Sequence, residues 1–199
     1  MADRSVEEPF RGGKVQWPEA SATDTIHVAP DAPGGSRGIL RFGDRTFSCA
    51  LGRNGVVSSK VEGDGATPAG TWPLRRVLWR ADRLPRPVTL LPTAAIAPAD
   101  GWCDAPASPA YNRPIRHPFG DSAERLWRED SLYDVIVVLG YNDRPVRPGA
   151  GSAIFMHVAR PDYAPTEGCI ALALPDLLDV LAGLRRAAVV QITAEPAST

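Results

Sequence analysis

A histidine and a cysteine lie twelve residues apart late in the sequence, and both are residue types that can carry out covalent chemistry. His157 lies at the end of one apolar run, and Cys169 follows Gly168 at the start of another. A free thiol has a pKa of about 8.5, whereas a neighbouring imidazolium lowers that pKa and makes the thiolate available at neutral pH. The pattern predicts a cysteine nucleophile paired with a histidine. A buried structural thiol and an unrelated imidazole are the alternative.

The backbone around the cysteine can serve the same chemistry. Gly168 has no side chain, so a substrate carbonyl can approach closely, and the backbone N–H groups of Gly168 and Cys169 can form an oxyanion hole. Glu167 would oppose thiolate formation if its carboxylate faced the sulfur. Because Pro165 and Gly168 flank this glutamate and favour a turn, we expect Glu167 to face solvent and to have little electrostatic effect.

Two motifs are similar to those of a known family. The segment Thr166-Glu-Gly-Cys169-Ile170, with His157 upstream, resembles the active-site signature of the YkuD-like L,D-transpeptidases. Thr67-Pro-Ala-Gly70, just before Trp72, is similar to the Thr-Pro-x-Gly turn of that family. The resemblance runs from about Asp24 to Thr193. It implies a mainly β catalytic fold with β-sandwich-like sheets and one or two helices.

The resemblance also implies an activity on bacterial peptidoglycan. Cys169 would be the nucleophile, and His157 would be the base that activates it, oriented by a backbone carbonyl. The thiolate would attack the carbonyl of the third, diamino-acid residue of a tetrapeptide stem, release the terminal D-Ala and pass the acyl group to an amine of a second stem. Two alternatives stay open: an L,D-carboxypeptidase or related hydrolase on the same fold, and a non-catalytic cell-wall-binding module. We expect no metal and no organic cofactor.

The sequence departs from the family pattern at two positions that concern substrate binding. Many members have a histidine in place of Glu167, and an arginine shortly after the cysteine, where this chain has Ala171. The substrate carboxylate would then be bound by other arginines. The candidate substrate-binding residues lie in loops or at strand ends: Arg113, Arg116, Arg160, Thr166, Tyr141 and Asn142.

The remaining residues of chemical interest favour structural roles. Three scattered cysteines are too few for a disulfide scaffold or a zinc knuckle, so Cys49 and Cys103 are interpreted as buried thiols. His27 and His117 lie close to prolines and carry no site pattern. Asp64 lies between two glycines, which is typical of a turn rather than of a metal ligand.

Composition and charge exclude several classes of function. The chain has 199 residues, of which 44% are hydrophobic and 23% charged, as expected for one globular domain. A net charge of −1 provides no field that would attract nucleic acid or an anionic membrane. The N-terminal segment contains no apolar run of a signal peptide, and no stretch could serve as an integral membrane segment. The resemblance implies the cell envelope or periplasm, and the cytoplasm stays open.

The elements that must position the site are mostly strands. Residues 1–23 are charged and aperiodic and predict a flexible tail, so the catalytic domain is expected over 24–195. Strands are predicted where β-branched or aromatic runs are bounded by turn residues, at 25–29, 38–51 (a hairpin around Gly43-Asp44), 71–79, 132–139, 152–158 and 187–193.

Two further segments carry different signals. Apolar residues at helical spacing predict a helix over 175–186, with Arg185 and Arg186 in its last turn, where cations suit the helix dipole. The segment 81–118 contains eight prolines, which predict an extended loop region.

Overall fold

The computed structural model describes residues 24–185 and 187–195, so the predicted tail 1–23 lies outside the described residues. These residues form fourteen strands and one helix. In chain order the elements are β1 Thr25–Pro30, β2 Arg37–Phe42, β3 Arg45–Ala50, β4 Val56–Val57, β5 Thr67–Pro68, β6 Gly70–Trp79, β7 Thr93–Ala95, β8 Asp100–Cys103, β9 Pro114–Arg116, β10 Ala123–Arg125, β11 Val135–Leu139, β12 Phe155–Val158, β13 Ile170–Leu172, α1 Leu174–Gly183 and β14 Val189–Ile192.

Nine strands form one sheet in the order β11-β12-β13-β3-β2-β1-β14-β6-β7. Strand β6 also pairs with β11, so the sheet curls round and closes on itself. Helix α1 packs against the large aliphatic cluster through Leu177, Val180 and Leu181. The mainly β prediction is therefore confirmed. In the described part of the chain, no helix combines the length and apolarity that crossing a membrane would require.

Strand β11 lies between two hydrophobic clusters, one on each face of the sheet. All five of its residues are buried, as expected for a strand covered on both faces. Because side chains alternate along a strand, Val135 and Val137 join the large aliphatic cluster, while Ile136 and Val138 join a second cluster on the opposite face. The second cluster contains Cys169, so the predicted site lies on the face away from the main core.

The proline-rich segment 81–118 differs from its predicted extended loop. It contains β7, β8 and β9, and β8 is the central strand of a separate three-stranded sheet in the order β10-β8-β9. The difference has a simple cause: β8 contains no proline, and Pro114 begins the edge strand β9, where a missing N–H is tolerated. This small sheet supplies Trp102, which packs edge-on against Phe155 in the second cluster.

Helix α1 is confirmed, but it ends earlier than its sequence pattern predicted. It stops at Gly183, so its last turn carries no basic residue. Leu184 is already extended, and the backbone N–H of Arg185 donates to the Asp24 carboxylate at 2.8 Å. Arg185 therefore contacts the residue before β1 rather than the helix dipole, and Arg186 lies outside the described residues.

Candidate active site

Parallel strands β12 and β13 bring the predicted pair together. Met156 aligns with Ile170, which places Cys169 level with Phe155, and the Phe155 N–H donates to the Cys169 sulfur at 3.4 Å. His157 lies on the same face of β12 as Phe155, because the two residues are two positions apart. Both His157 and Cys169 line one cavity of about 450 Å³.

His157 is held in one orientation by the backbone. Its Nδ1 lies 2.9 Å from the carbonyl oxygen of Val158. Because a carbonyl oxygen only accepts, Nδ1 carries the proton in this contact and Nε2 keeps a free lone pair. Burial lowers the pKa of His157 to about 4, so the imidazole is neutral at ordinary pH. The Tyr133 ring packs edge-on against it, with ring centres 5.2 Å apart.

Cys169 is a buried, protonated thiol in the resting structure. Its S–H donates to the carbonyl oxygen of Ala153 at 3.3 Å. Burial raises the pKa of Cys169 to about 12, and the Glu124 carboxylate adds to that effect. The sequence chemistry predicted an imidazolium that lowers the thiol pKa. The structure instead favours a neutral thiol beside a neutral imidazole, because burial penalises both charged forms.

The loop before the cysteine forms the predicted turn. Gly168 has a φ of 131°, a conformation that other residues rarely adopt, and a Cβ added there would lie 2.7 Å from the Ala66 carbonyl oxygen. The Gly168 N–H donates to the Thr166 hydroxyl at 3.1 Å, and this hydroxyl donates to the Cys169 carbonyl at 2.7 Å. The Gly168 N–H, which we predicted for the oxyanion hole, is therefore already engaged.

The Gly-Asp-Gly-Ala-Thr-Pro segment packs directly on this loop. Asp64 accepts hydrogen bonds from the backbone N–H groups of Val61 and Ala66, which is the turn-forming role predicted for it. Buried Thr67 accepts the Gly52 N–H at 2.8 Å, and Gly52 forms a bridge to Thr166. The two motifs singled out in the sequence thus form one contact in space.

Charged side chains of both signs line the cavity. Burial raises the pKa of Glu124, which accepts a hydrogen bond of 2.5 Å from the Tyr133 hydroxyl. Glu62 accepts hydrogen bonds from the hydroxyls of Tyr111 and Ser152. The full charged lining is Lys60, Glu62, Asp104, Glu124, Arg128, Arg160 and Glu167.

Comparison with known proteins identifies the family. The family model described as YkuD: L,D-transpeptidase catalytic domain matches residues 39–192. The chain belongs to this family. Among solved structures, it is similar to the Mycobacterium tuberculosis L,D-transpeptidase 1, at 11% identity and a TM-score of 0.34, over 85% of this chain and 62% of that chain. The chain thus spans less than two thirds of the length of that protein. No curated protein matches it.

The YkuD domain places the six candidate substrate-binding residues differently. Arg160 and Thr166 line the cavity that contains Cys169. Tyr141 and Asn142 line a second, separate pocket instead. Arg113 and Arg116 line neither pocket, and Arg116 pairs with the buried carboxylate of Asp100 at 3.0 Å.

Tyr141 and Asn142 hold the loop that leads into the site of this YkuD domain. The Asn142 amide donates to the carbonyls of Arg147 and Gly151, and the Tyr141 hydroxyl donates to the Ala150 carbonyl at 2.5 Å. The same loop continues to Ala153, whose carbonyl accepts the Cys169 S–H. These residues therefore support the site from behind the cavity wall.

Sequence reasoning missed several residues of the YkuD site. Lys60, Glu124 and Tyr133 line the cavity but belong to three different segments of the chain. No local spacing connects them to Cys169, because the sheet alone brings these segments together. Lys60 and Glu62 lie just before the Gly-Asp-Gly turn in the sequence. Only the packing of that turn on the cysteine loop shows that they line the cavity.

Glu167→Gln is expected to change the thiol reactivity of the YkuD domain very little. The Glu167 side chain is 79% exposed and pairs with Arg53, so its charge is screened and partly neutralised. Far below the thiol pKa, the alkylation rate is proportional to the thiolate fraction, and one pKa unit corresponds to a tenfold change. We expect a change of less than about threefold in iodoacetamide labelling of Cys169, measured by peptide mapping at fixed pH.

Asp44→Asn is the matched control for this measurement, because it removes the same charge from an exposed hairpin turn. A tenfold faster labelling of the Glu167 variant alone would show that this carboxylate acts on the sulfur, contrary to the observed geometry.

Proposed function

We propose that this YkuD domain is a cysteine L,D-transpeptidase that acts on peptidoglycan stem peptides through a Cys169 thioester. One observation supports the proposal most directly. Cys169 and His157 line the same cavity, and the Val158 carbonyl holds His157 in the tautomer that leaves Nε2 free to accept a proton. Membership of the family supports the same chemistry.

The acylation half of the reaction begins from neutral groups. His157 Nε2 takes the thiol proton as the Cys169 sulfur attacks the carbonyl carbon of the third stem residue. The carbonyl oxygen becomes an oxyanion, and we propose that the Cys169 N–H stabilises it, because the Gly168 N–H is already engaged by the Thr166 hydroxyl. The tetrahedral intermediate then collapses, the bond to the terminal D-Ala breaks, and the leaving amine takes the proton from His157. The product is a thioester.

The second half of the reaction transfers the acyl group. An amine of a second stem attacks the thioester carbonyl and loses its proton to His157, which returns it to the Cys169 sulfur. The cross-link forms and the free thiol is restored. Water in place of the amine would give an L,D-carboxypeptidase, so the occupant of the acceptor side of the cavity decides between the two reactions.

Substrate binding follows from the charges of the cavity. A stem peptide carries carboxylates and, on its diamino acid, an amine, so a site with both signs of charge is complementary to it. We propose that Arg160, an exposed cation on the cavity wall, contacts a stem carboxylate, and that Thr166 supports the oxyanion region. The substrate places the site of action in the cell envelope, as part of the same proposal.

Incubation with purified tetrapeptide muropeptides tests the proposed function. We expect mass spectrometry to detect cross-linked dimers that have lost one D-Ala. Tripeptide monomers without dimers would replace the transpeptidase with the carboxypeptidase, and unchanged muropeptides would favour a wall-binding module.

A carbapenem should also acylate the protein once, on Cys169, because its strained carbonyl accepts the same attack by the Cys169 sulfur. Intact-mass analysis and peptide mapping would locate the adduct, and an adduct elsewhere would count against the thioester mechanism.

A further inference from the structure

A buried lysine lies against the loop that carries the nucleophile. The Lys60 side chain is only 3% exposed, and its Nζ lies 2.6 Å from Asp64 Oδ1. Lys60 lines the cavity shared by Cys169 and His157. A Cβ added to Gly168 would lie 3.3 Å from Nζ, so the ammonium is adjacent to the residue before the cysteine.

The end of the lysine side chain is closely surrounded. A Cβ added to Gly151 would lie 2.8 Å from Lys60 Cε, so the glycine at position 151 leaves room for the lysine side chain in this position. Asp64, the partner of Nζ, remains ionised. Burial raises the pKa of its carboxyl group, but hydrogen bonds from Lys60, Val61 and Ala66 have the larger combined effect and lower this pKa below its usual value. Asp64 engages one of the three N–H donors of Lys60, which leaves two for other partners.

The backbone of the cysteine loop is one donor short of an oxyanion hole. Oxyanion holes combine preorganised donors aimed at the oxygen that becomes charged. The Gly168 N–H is engaged by the Thr166 hydroxyl at 3.1 Å, which leaves the Cys169 N–H from the pair predicted from the sequence. The Lys60 ammonium lies next to this position and is almost completely shielded from water. A charged donor in such a place has a strong effect, because water does not screen it.

We propose that the Lys60 ammonium is the second donor to the oxyanion in the acyl-transfer reaction of this site. This inference rests on the proposed function. As the Cys169 sulfur bonds to the carbonyl carbon, the carbonyl π electrons move to the oxygen, which accepts a hydrogen bond from Nζ. The ammonium keeps its proton throughout, and collapse of the intermediate restores the carbonyl. Asp64 is the positioning residue that holds Nζ in place.

A different role for the same lysine can be distinguished by chemistry. The positive charge of Lys60 also stabilises the Cys169 thiolate. It therefore lowers the pKa of that thiol, against the larger effect of burial, which raises it. Alkylation of the sulfur by iodoacetamide needs the thiolate but forms no oxyanion, whereas acylation by a carbapenem needs both. A residue that acts on the oxyanion slows acylation much more than alkylation, and a residue that acts only on the thiolate slows both equally.

The test compares the two rates in matched variants. The variant Lys60→Met with Asp64→Asn removes both charges together, so that no unpaired carboxylate is left beside the sulfur. Asp64→Asn alone removes the counter-ion and keeps the ammonium. We expect the double variant to lower the carbapenem acylation rate by about 10²–10³-fold, as for loss of one oxyanion donor. Iodoacetamide labelling of Cys169 should fall less than about tenfold. Asp64→Asn alone keeps an oxygen that can accept from Nζ but loses the charge that holds it, so we expect it to slow acylation, and by less than the double variant does.

Three outcomes would overturn the inference. Equal losses in acylation and alkylation would make Lys60 a thiolate-stabilising residue only, and unchanged acylation would remove it from the reaction. A parent protein that forms no Cys169 adduct would overturn the proposed function itself, and the inference with it. Lys60→Gln with Asp64→Asn is the second variant, and thermal unfolding of each protein shows that the rates refer to folded chains.

Discussion

Cys169→Ala is expected to abolish carbapenem adduct formation and all turnover of stem peptides. Alanine has no group that can form the acyl-enzyme, so the covalent route is lost rather than slowed. The side chain is buried in the second cluster and the change removes one sulfur atom, so we expect the fold to survive. Intact-mass analysis after carbapenem exposure and muropeptide mass spectrometry measure the two losses.

The other two cysteines are the controls for this prediction. Cys49 and Cys103 are buried in β3 and β8, outside the cavity, and burial raises the pKa of Cys49 to about 12. Cys49→Ala and Cys103→Ala should each keep one carbapenem adduct per chain and most of the turnover. Residual turnover in the Cys169 variant would show that a different group is the nucleophile.

His157→Gln is expected to lower the carbapenem acylation rate by about 10²–10⁴-fold, the usual contribution of a general base. Glutamine has a similar shape and can still donate to the Val158 carbonyl, but it cannot accept the thiol proton. Because burial raises the pKa of Cys169 to about 12, almost all of this thiol is protonated in the resting state. Without His157 to take the proton, only a very small fraction of the sulfur is present as the reactive thiolate. The measurement is the rate of adduct formation followed by intact mass at several pH values.

The pH profile separates two forms of the catalytic pair. Burial lowers the pKa of His157 to about 4, so the neutral base is present above that pH and is lost as the pH falls through it. We expect the parent acylation rate to rise through pH 4 and then to show no loss between about pH 5.5 and 8. A preformed imidazolium–thiolate pair would behave in the opposite way. Its imidazolium would lose a proton as the pH rises, and the acylation rate would fall with it. A decline between pH 6 and 8 would therefore contradict the neutral pair.

The strands and the central pair of this fold are encoded locally, which is why the sequence predicted them. The β2–β3 hairpin follows from a Gly-Asp turn between alternating apolar residues, and β11 follows from five consecutive β-branched or leucine residues. Cys169 and His157 were predicted as a pair because one loop separates them and because the residues around the cysteine resemble the YkuD signature. The carbonyl that orients His157 belongs to the next residue, Val158, and only the ring orientation in the structure identifies it.

The parts that the sequence did not reveal depend on distant segments. Lys60 reaches the cysteine loop because Gly52 bridges to Thr166 and the Gly-Asp-Gly turn packs against Gly168, and no periodicity reports such a contact. Strand β8 was hidden because prolines on both sides dominate the local signal, although none lies within the strand. The early end of α1 at Gly183 reflects the pairing of Arg185 with Asp24, which is a contact across most of the chain.

The strand that carries His157 has neighbours on both sides, with β11 antiparallel to it and β13 parallel. Proteins that recognise extended peptides often add the peptide as a further strand at an open sheet edge, and β12 offers no such edge. The stem peptide that we propose as the substrate would therefore be recognised at this strand through its side groups and its ends. This suits a ligand that mixes L and D residues, since alternating stereochemistry prevents the regular backbone pairing on which strand addition depends.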